Sequence, residues 1–319
     1  MEYKYLGRTG LKVSELCMGS MNFGWTAPRE NCAPVMDAFV ESGGNFIDTA
    51  DVYSRWAQGN PGGVAEELIG AWLKTKRRDQ IIIATKVRGK MGDGPNDQGL
   101  SRKHILDACE ASLRRLQTDY IDLYQTHWWD EHTPLEETLG ALDDLVRAGK
   151  VRYIGCSNLP AWHLMEALWI SDRHNLARYD SIQPHYNLVH RAEFEREHQA
   201  VCLKYGLGVI PYSPLAGGLL TGKYRRGVTV KEGTRGWNLR HAFTEKNFGI
   251  IDQLDEIAQA HGKTVLHVAL AWCAQQPTIS SPIIGVNTVE QWREMEGAIG
   301  WKLSEDELKT LNEVSKWEE

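Results

Sequence analysis

The chain has 319 residues, 42% of them hydrophobic and 24% charged, with a net charge of -6 at neutral pH. No apolar run approaches the ~20 residues that span a bilayer, and no concentrated basic run offers nucleic acid an electrostatic footprint, so neither a membrane nor a nucleic-acid partner is expected. Met1-Glu2-Tyr3-Lys4-Tyr5 lacks the basic and apolar regions of a signal peptide, which points to the cytoplasm, and Cys17, Cys32, Cys109, Cys156, Cys202 and Cys273 stand singly, as reduced packing residues rather than zinc ligands or disulfides.

In chain order, residues 3–6 and 11–14 flank Arg8-Thr9-Gly10 and read as a small hairpin that plugs one end of the main fold. Short apolar runs then predict eight strands, near 16–19, 45–48, 81–85, 121–125, 152–156, 181–184, 208–212 and 281–284. Between them, apolar residues at three-to-four spacing predict helices over 29–42, 64–74, 101–116, 134–148, 160–173, 193–205 and 288–297, with two more, 247–261 and 264–275, between the last two strands. Ser101 and Thr133-Pro134 look like helix starts, Gly149 and Gly262 like helix stops. With no interdomain linker or internal repeat, the expectation is one domain over residues 1–319. Its fold class is α/β, a (β/α)8 TIM barrel with an N-terminal β-hairpin and long loops at the C-terminal face. A doubly wound sheet is the competing architecture.

The stretch Gly44 to Ser54 carries the first chemical signal, because the apolar run from Phe46 breaks into Asp48, Thr49, Asp51 and Tyr53. The break recurs where Ile81-Ile82-Ile83-Ala84-Thr85 meets Lys86 and where the 121–126 run meets His127. All strand C-termini of such a barrel open into one mouth, so Asp48, Tyr53, Lys86 and His127 are expected to converge. Taken singly, Asp48 also fits a helical cap, Lys86 a solvated strand end and His127 a satisfied core histidine. As a set they are complementary. A phenol with a reference pKa near ~10 donates a proton poorly until a cation stabilises its phenolate, and a buried lysine stays charged only beside a carboxylate.

Two further signals are weighed and set aside. Gly217-Gly218-Leu219-Leu220-Thr221-Gly222-Lys223-Tyr224 nearly spells a P-loop, but Tyr224 stands where a Ser or Thr must reach magnesium, so only a phosphate contact at Lys223 is kept. His127, Asp130, Glu131 and His132 are ligand types crowded on one loop with no further set to complete a site, so no metal is expected. The 12 tryptophans exceed what a core needs, and Trp25, Trp56, Trp128 and Trp129 are expected to line a substrate pocket for a flat or sugar-like ligand.

Gly44-Asn45-Phe46-Ile47-Asp48-Thr49-Ala50 with Tyr53, Lys86 after Ile83-Ala84-Thr85, His127 and Gly155-Cys156-Ser157-Asn158 fall in the order of a known family. Over nearly its full length the chain resembles an aldo-keto reductase. Gln183-Pro184-His185-Tyr186-Asn187 and the run from Tyr212 to Tyr224 are similar to the aryl-alcohol-dehydrogenase-like and potassium-channel β-subunit branches. The resemblance implies NADPH-dependent reduction of a small-molecule carbonyl without a Rossmann fingerprint. Tyr53 would be the acid, Lys86 and Asp48 the pair that tunes it, and His127 the residue that orients the carbonyl. It also implies cofactor contacts. Ser20, Met21 and Asp48 would lie near the nicotinamide ribose, Ser157, Asn158 and Gln183 at the carboxamide, and Tyr212 stacked on the ring. Ser213, Pro214, Leu215 and Gly217 would follow the pyrophosphate, Lys223 and Arg235 the 2′-phosphate, and Gly285, Asn287, Gln291 and Glu294 the adenosine. Many members carry a base where this chain has Asn287 and Thr288, and an Asn in place of Met295, which leaves NADH as an alternative cofactor. The resemblance also implies a second reading, a cofactor-binding regulatory subunit of the channel β-subunit type. A metal hydrolase is the third. The sequence leaves the oligomeric state open.

Overall fold

The structure, a computed structural model, describes residues 1–233 and 235–318, with the side chain of Arg235 outside that description. Strands β1 (Tyr3–Tyr5) and β2 (Lys12–Ser14) pair antiparallel, Lys4 opposite Val13. Eight parallel strands follow: β3 (Cys17–Gly19), β4 (Phe46–Asp48), β5 (Ile82–Val87), β6 (Ile121–Thr126), β7 (Val151–Ser157), β8 (Tyr179–Gln183), β9 (Gly208–Val209) and β10 (Ile283–Ile284). They neighbour one another in sequence order from β3 to β9, and β10 lies beside β3. Parallel bridges from Val209 to Ile279 and from Tyr212 to Ile283 join the β9 side to the β10 side. The sheet therefore curls onto itself as a (β/α)8 barrel, and the doubly wound alternative is excluded. β9 and β10 are shorter than the apolar runs imply, because Pro211 and Pro282 have no N–H to give a ladder.

The helices pack outside: α1 (Arg29–Glu41), α2 (Val64–Leu73), α3 (Arg102–Leu116), α4 (Leu135–Arg147), α5 (Ala161–His174), α6 (Gln199–Tyr205, entered through a π turn at Phe194–His198), α7 (Arg235–Leu239), α8 (Glu245–Ala260), α9 (Val265–Gln275), α10 (Val289–Met295) and α11 (Glu305–Val314). The Ser101 hydroxyl accepts the His104 N–H to start α3, and Gly149 and Gly262 follow α4 and α8 with positive φ. The apolar pattern misses α7 and α11. For α11 the signal is a capping box, Ser304 with Glu307, not periodicity, since Leu311 is the only side chain it buries fully.

Strand alternation decides what faces the barrel axis. Ile47, Ile83 and Tyr124 point outward into the main core against the helices, while Cys17, Phe46, Ile82, Ala84, Leu123, Ile210 and Ile283 pack inside with Leu6 and Val13 of the hairpin. The hairpin thus closes the bottom of the barrel, as its sequence position implies. Asp48 is two residues beyond Phe46, Lys86 two beyond Ala84, and Gln125 two beyond Leu123, so all three project inward one layer higher.

The seat of the hairpin is a close backbone approach. Gly7 adopts a φ of +57°, and a Cβ there would lie 2.3 Å from the Gly208 nitrogen. Gly7→Val is expected to unseat the plug and lower the unfolding free energy by about 2–4 kcal/mol, through overpacking and positive-φ strain together. Urea denaturation checks this; a loss under about 0.5 kcal/mol, the range of an ordinary surface change, would show that the hairpin is not a seated part of the barrel.

Candidate active site

Lys86 is fully buried at the end of β5, and its ammonium donates to Asp48 Oδ2 at 2.6 Å, to the Thr49 carbonyl at 2.9 Å and to the Tyr53 hydroxyl at 2.9 Å. Three donors meet three acceptors, which is the condition for burying a lysine charged. Asp48 has its second oxygen filled as well, by the Gln183 side-chain amide at 2.9 Å and that of Gln125 at 3.2 Å. Burial alone lowers the Lys86 pKa, but the charges of Asp48 and Tyr53 outweigh it and hold the ammonium above its ordinary value. For Tyr53 the balance runs the other way. Burial pushes the phenol up to about 12 although Lys86 pulls it down. The lysine lowers the phenol's pKa in the expected direction, but burial outweighs it, so the hydroxyl keeps its proton at neutral pH.

The His127 ring lies 5.8 Å from the Tyr53 ring, centroid to centroid, and stacks on Trp128 at 3.8 Å. Burial, then the charges of Lys86 and Arg88, hold its pKa well below the usual histidine range, so the imidazole is neutral. Its Nδ1 is sealed off without a hydrogen-bond partner. On the neighbouring loop, Asp130 accepts from the Leu100 and His132 N–H groups and from the Thr133 hydroxyl.

Asp48, Tyr53 and His127 wall one end of a cavity of about 530 Å³, with Lys86 fully buried behind them. The same end holds Met21, Trp56 and Trp128, and the wall continues through Ser157, Asn158, Gln183 and Tyr212. Beyond them Ser213, Pro214, Leu215, Gly217 and Lys223 line one side and Gly285, Asn287, Gln291 and Glu294 another. The turn that carries Gly217 and Gly218 has φ of +67° and +104° at those two positions, backbone open chiefly to glycine. No helix like that of a P-loop opens there; the chain continues as a short 3-10 turn, Ala216–Thr221. Tyr212 is stacked on His185, ring centroids 5.1 Å apart and 7° from parallel, and its hydroxyl donates to Asn158 Oδ1 at 3.0 Å. Lys223 makes no ion pair among the described residues and lies over the Tyr224 ring.

Among the described residues, Ser20, Trp25 and Trp129 do not line this cavity. Ser20 is buried beneath it, its N–H on the Asp48 carbonyl and its hydroxyl without a partner. Trp25 stands half exposed with its ring against Trp56, centroids 5.6 Å apart. Trp129 packs on His163 at 4.1 Å and lines a separate, adjoining depression. The side chain of Arg235 lies outside the described residues. Sequence reasoning in turn missed Gln125, Asn22 and Leu266. Gln125 had a readable signal, an amide at the inward position of an apolar strand; Asn22 is set by a loop path, and Leu266 by where the first turn of α9 meets the cavity.

A parallel barrel that buries a lysine–carboxylate pair under a phenol, at the end of a long cleft and without a Gly-rich strand-to-helix fingerprint, has the makings of a barrel oxidoreductase. Comparison with known proteins gives the family. The model of the aldo/keto reductase family matches residues 15–316. An uncharacterized oxidoreductase, YrpG, of Bacillus subtilis (strain 168) is 40% identical over 320 residues, covering 98% of this chain and 96% of that protein. The versiconal hemiacetal acetate reductase of Aspergillus parasiticus is 36% identical over 341 residues, 98% and 96% of the two chains. A probable voltage-gated potassium channel subunit beta of Arabidopsis thaliana is 36% identical over 304 residues, 92% and 90%. The chain belongs to the aldo/keto reductase family, whose members are NAD(P)H-dependent oxidoreductases. Among the described residues no helix is long and apolar enough to cross a membrane.

Replacing Lys86 by methionine strands the Asp48 carboxylate in a buried site, and removal of one partner from such a pair costs about 3–5 kcal/mol. Asp48 in Lys86→Met should then bind its proton more tightly folded than unfolded, so the penalty is largest at neutral pH and shrinks as pH falls toward the free carboxylate value near ~4. Unfolding free energies of both proteins at pH 8 and pH 5 check this. A difference that does not narrow at the lower pH would mean that Asp48 is not left charged and unpaired.

Proposed function

We propose that the protein reduces aldehydes or ketones to alcohols with NADPH, and that Tyr53 is the acid. The observation that carries the reading is the Lys86 ammonium shared between Asp48 and the Tyr53 hydroxyl at the cavity wall. The cavity suits a dinucleotide. Tyr212, backed by His185, supplies a flat platform beside Ser157, Asn158 and Gln183, the positive-φ glycines let backbone approach a pyrophosphate, and Lys223 offers an unpaired cation at the far end.

A nicotinamide held there would supply the hydride to the carbonyl carbon. The chain's own part is the proton. As charge builds on the carbonyl oxygen, Tyr53 donates its phenolic proton, and the phenolate left behind is stabilised by Lys86. Asp48 keeps Lys86 charged through the change, while Gln125 and Gln183 hold Asp48 in place. His127 stays neutral. With Nδ1 sealed off, its ring proton is assigned to Nε2, where it hydrogen-bonds the carbonyl oxygen and turns it toward the phenol. Selectivity for the 2′-phosphate rests on Lys223 and Arg235, since Asn287 offers only neutral bonds.

A regulatory reading draws on relatives in Arabidopsis thaliana and Oryza sativa named as probable voltage-gated potassium channel beta subunits. The catalytic test separates the two readings. Following NADPH absorbance with a generic aromatic aldehyde, the wild type should turn over and Tyr53→Phe should lose about 10²–10⁴-fold in kcat while still binding NADPH. Retention of more than about a tenth of kcat, with chemistry limiting, would remove Tyr53 from the role of acid. Absence of turnover by the wild type would favour the regulatory reading.

Cofactor choice has its own measurement. Charge-assisted contacts to a phosphate are worth ~1.5–3 kcal/mol, roughly a tenfold to hundredfold preference. Wild type should prefer NADPH to NADH, and Lys223→Ala should raise KM for NADPH while leaving that for NADH within about twofold. Equal use of both cofactors by wild type, or equal damage to both in the variant, would show that this end of the cavity does not read the phosphate.

A further inference from the structure

Arg88 is the residue at the mouth that the mechanism leaves idle. It follows directly on β5, two positions beyond Lys86, and holds a φ of +125°, a region that non-glycine residues rarely occupy. Its carbonyl accepts the Gly99 N–H at 3.1 Å. On its other side, Gly89 is pressed so close to Val52 that an added Cβ would lie 2.5 Å from the valine Cβ. The backbone is thus pinned from two directions in a conformation an arginine does not choose. Such strain collects where a side chain has to be aimed.

What the side chain is aimed at has no counter-ion. The Arg88 Nε is buried without a hydrogen-bond partner, and among the described residues no carboxylate lies within ion-pair distance of the guanidinium. Asp130 is near enough to feel its charge, but the oxygens of that carboxylate are already committed to Leu100, His132 and Thr133. A partly buried, unpaired guanidinium is electrostatically incomplete. It lines a depression with Trp128, Trp129, Asn158 and Pro160. Trp128 and Asn158 are also walls of the main cavity, at its catalytic end, where Trp128 stacks on His127. The depression therefore opens beside the reacting carbonyl and away from Lys223, on the side a substrate rather than a cofactor would extend.

We propose that this depression is a carboxylate subsite of the substrate pocket: Arg88 pairs with a carboxylate carried by an aromatic aldehyde whose ring lies along Trp128 and Trp129. The guanidinium fork matches a carboxylate with two parallel bonds, and a single cation balances its single charge, whereas a phosphate dianion would remain half compensated. The two indoles supply flat apolar area on the path between the carbonyl and the carboxylate. The inference rests on the carbonyl-reductase reading for its chemistry and on Arg88 for its specificity.

The experiment compares 3- and 4-formylbenzoate with their methyl esters, using NADPH and the full-length protein, in wild type, Arg88→Gln and Arg88→Lys. Wild type should favour the better acid over its ester by roughly 10- to 100-fold in kcat/KM, the range of one charge-assisted pair. That ratio should fall close to one in Arg88→Gln, mainly through KM, and be partly restored in Arg88→Lys, which makes the same demand on the backbone. A binding measurement stands apart from turnover: benzoate should perturb the tryptophan fluorescence of wild type, with a dissociation constant raised at least tenfold in Arg88→Gln. An acid-to-ester ratio near one in wild type, or one unchanged in both variants, overturns the subsite while leaving the reductase reading in place. If wild type reduces none of the four compounds yet binds benzoate through Arg88, the reductase reading falls and the anion site stands. Benzoate binding that is indifferent to both variants overturns the subsite.

Discussion

A lysine ammonium with no exposed surface has three N–H donors to satisfy and no water to satisfy them, and the mouth of this barrel is arranged around that requirement. The acceptors come from one loop: Asp48 at the end of β4, the Thr49 carbonyl beside it, and Tyr53 where the chain turns back. Parallel pairing makes this possible, because β4 and β5 run side by side with Asp48 opposite Ala84, which places Lys86 one inward step above the carboxylate. The pair would be a poor way to gain stability alone. Desolvating two charges takes back most of what their attraction returns. Its return lies in the phenol, the only one of the three partners able to release a proton.

The electrostatic consequence is a phenol held up, not down. Burial drives the Tyr53 pKa to about 12 against the pull of Lys86, so the phenol keeps its proton across the physiological range, and in the proposed reaction the lysine would act on the charge that appears after transfer. His127 is tuned by the same burial in the opposite sense and stays neutral. A charged imidazole would add a second cation beside Lys86, which its Coulomb field opposes. One environment thus shifts Tyr53 and His127 in opposite directions because their charged forms have opposite sign.

The sequence was most legible where the strand period and the chemistry coincided. Eight apolar runs gave eight strands because most of their positions are buried, with exposed or half-buried residues confined to their starting ends, and the abrupt changes at Asp48, Lys86 and His127 marked neighbouring strand ends whose side chains come together. Legibility failed where position depends on loop paths. Trp129 follows Trp128 directly, yet one ring borders the reacting end and its neighbour turns toward His163. Ser20 adjoins Met21, yet it sits beneath the wall that Met21 forms. Helix α11 escaped because it buries too little for an amphipathic pattern, while Pro211 and Pro282 truncated the last two strands for want of an N–H.

The two ends of the cleft are built from different materials. At the end that holds Tyr53, most of the groups sit on or just after strands and neighbour one another across the ladder, Lys86 beside Gln125 and Ser157 beside Gln183, while Tyr53 reaches Lys86 from the loop after β4. The strand groups hold their separations because a ladder fixes them, and the Lys86 ammonium ties the Tyr53 hydroxyl to that frame at 2.9 Å. At the far end the wall is a turn of positive-φ residues with an unpaired lysine, whose contacts to a ligand are backbone and charge. These tolerate adjustment, since an electrostatic clamp loses strength gradually with distance while a proton donor does not. The barrel thus supplies rigidity at the end the proposed reaction uses, and loops supply the more adaptable surface around it.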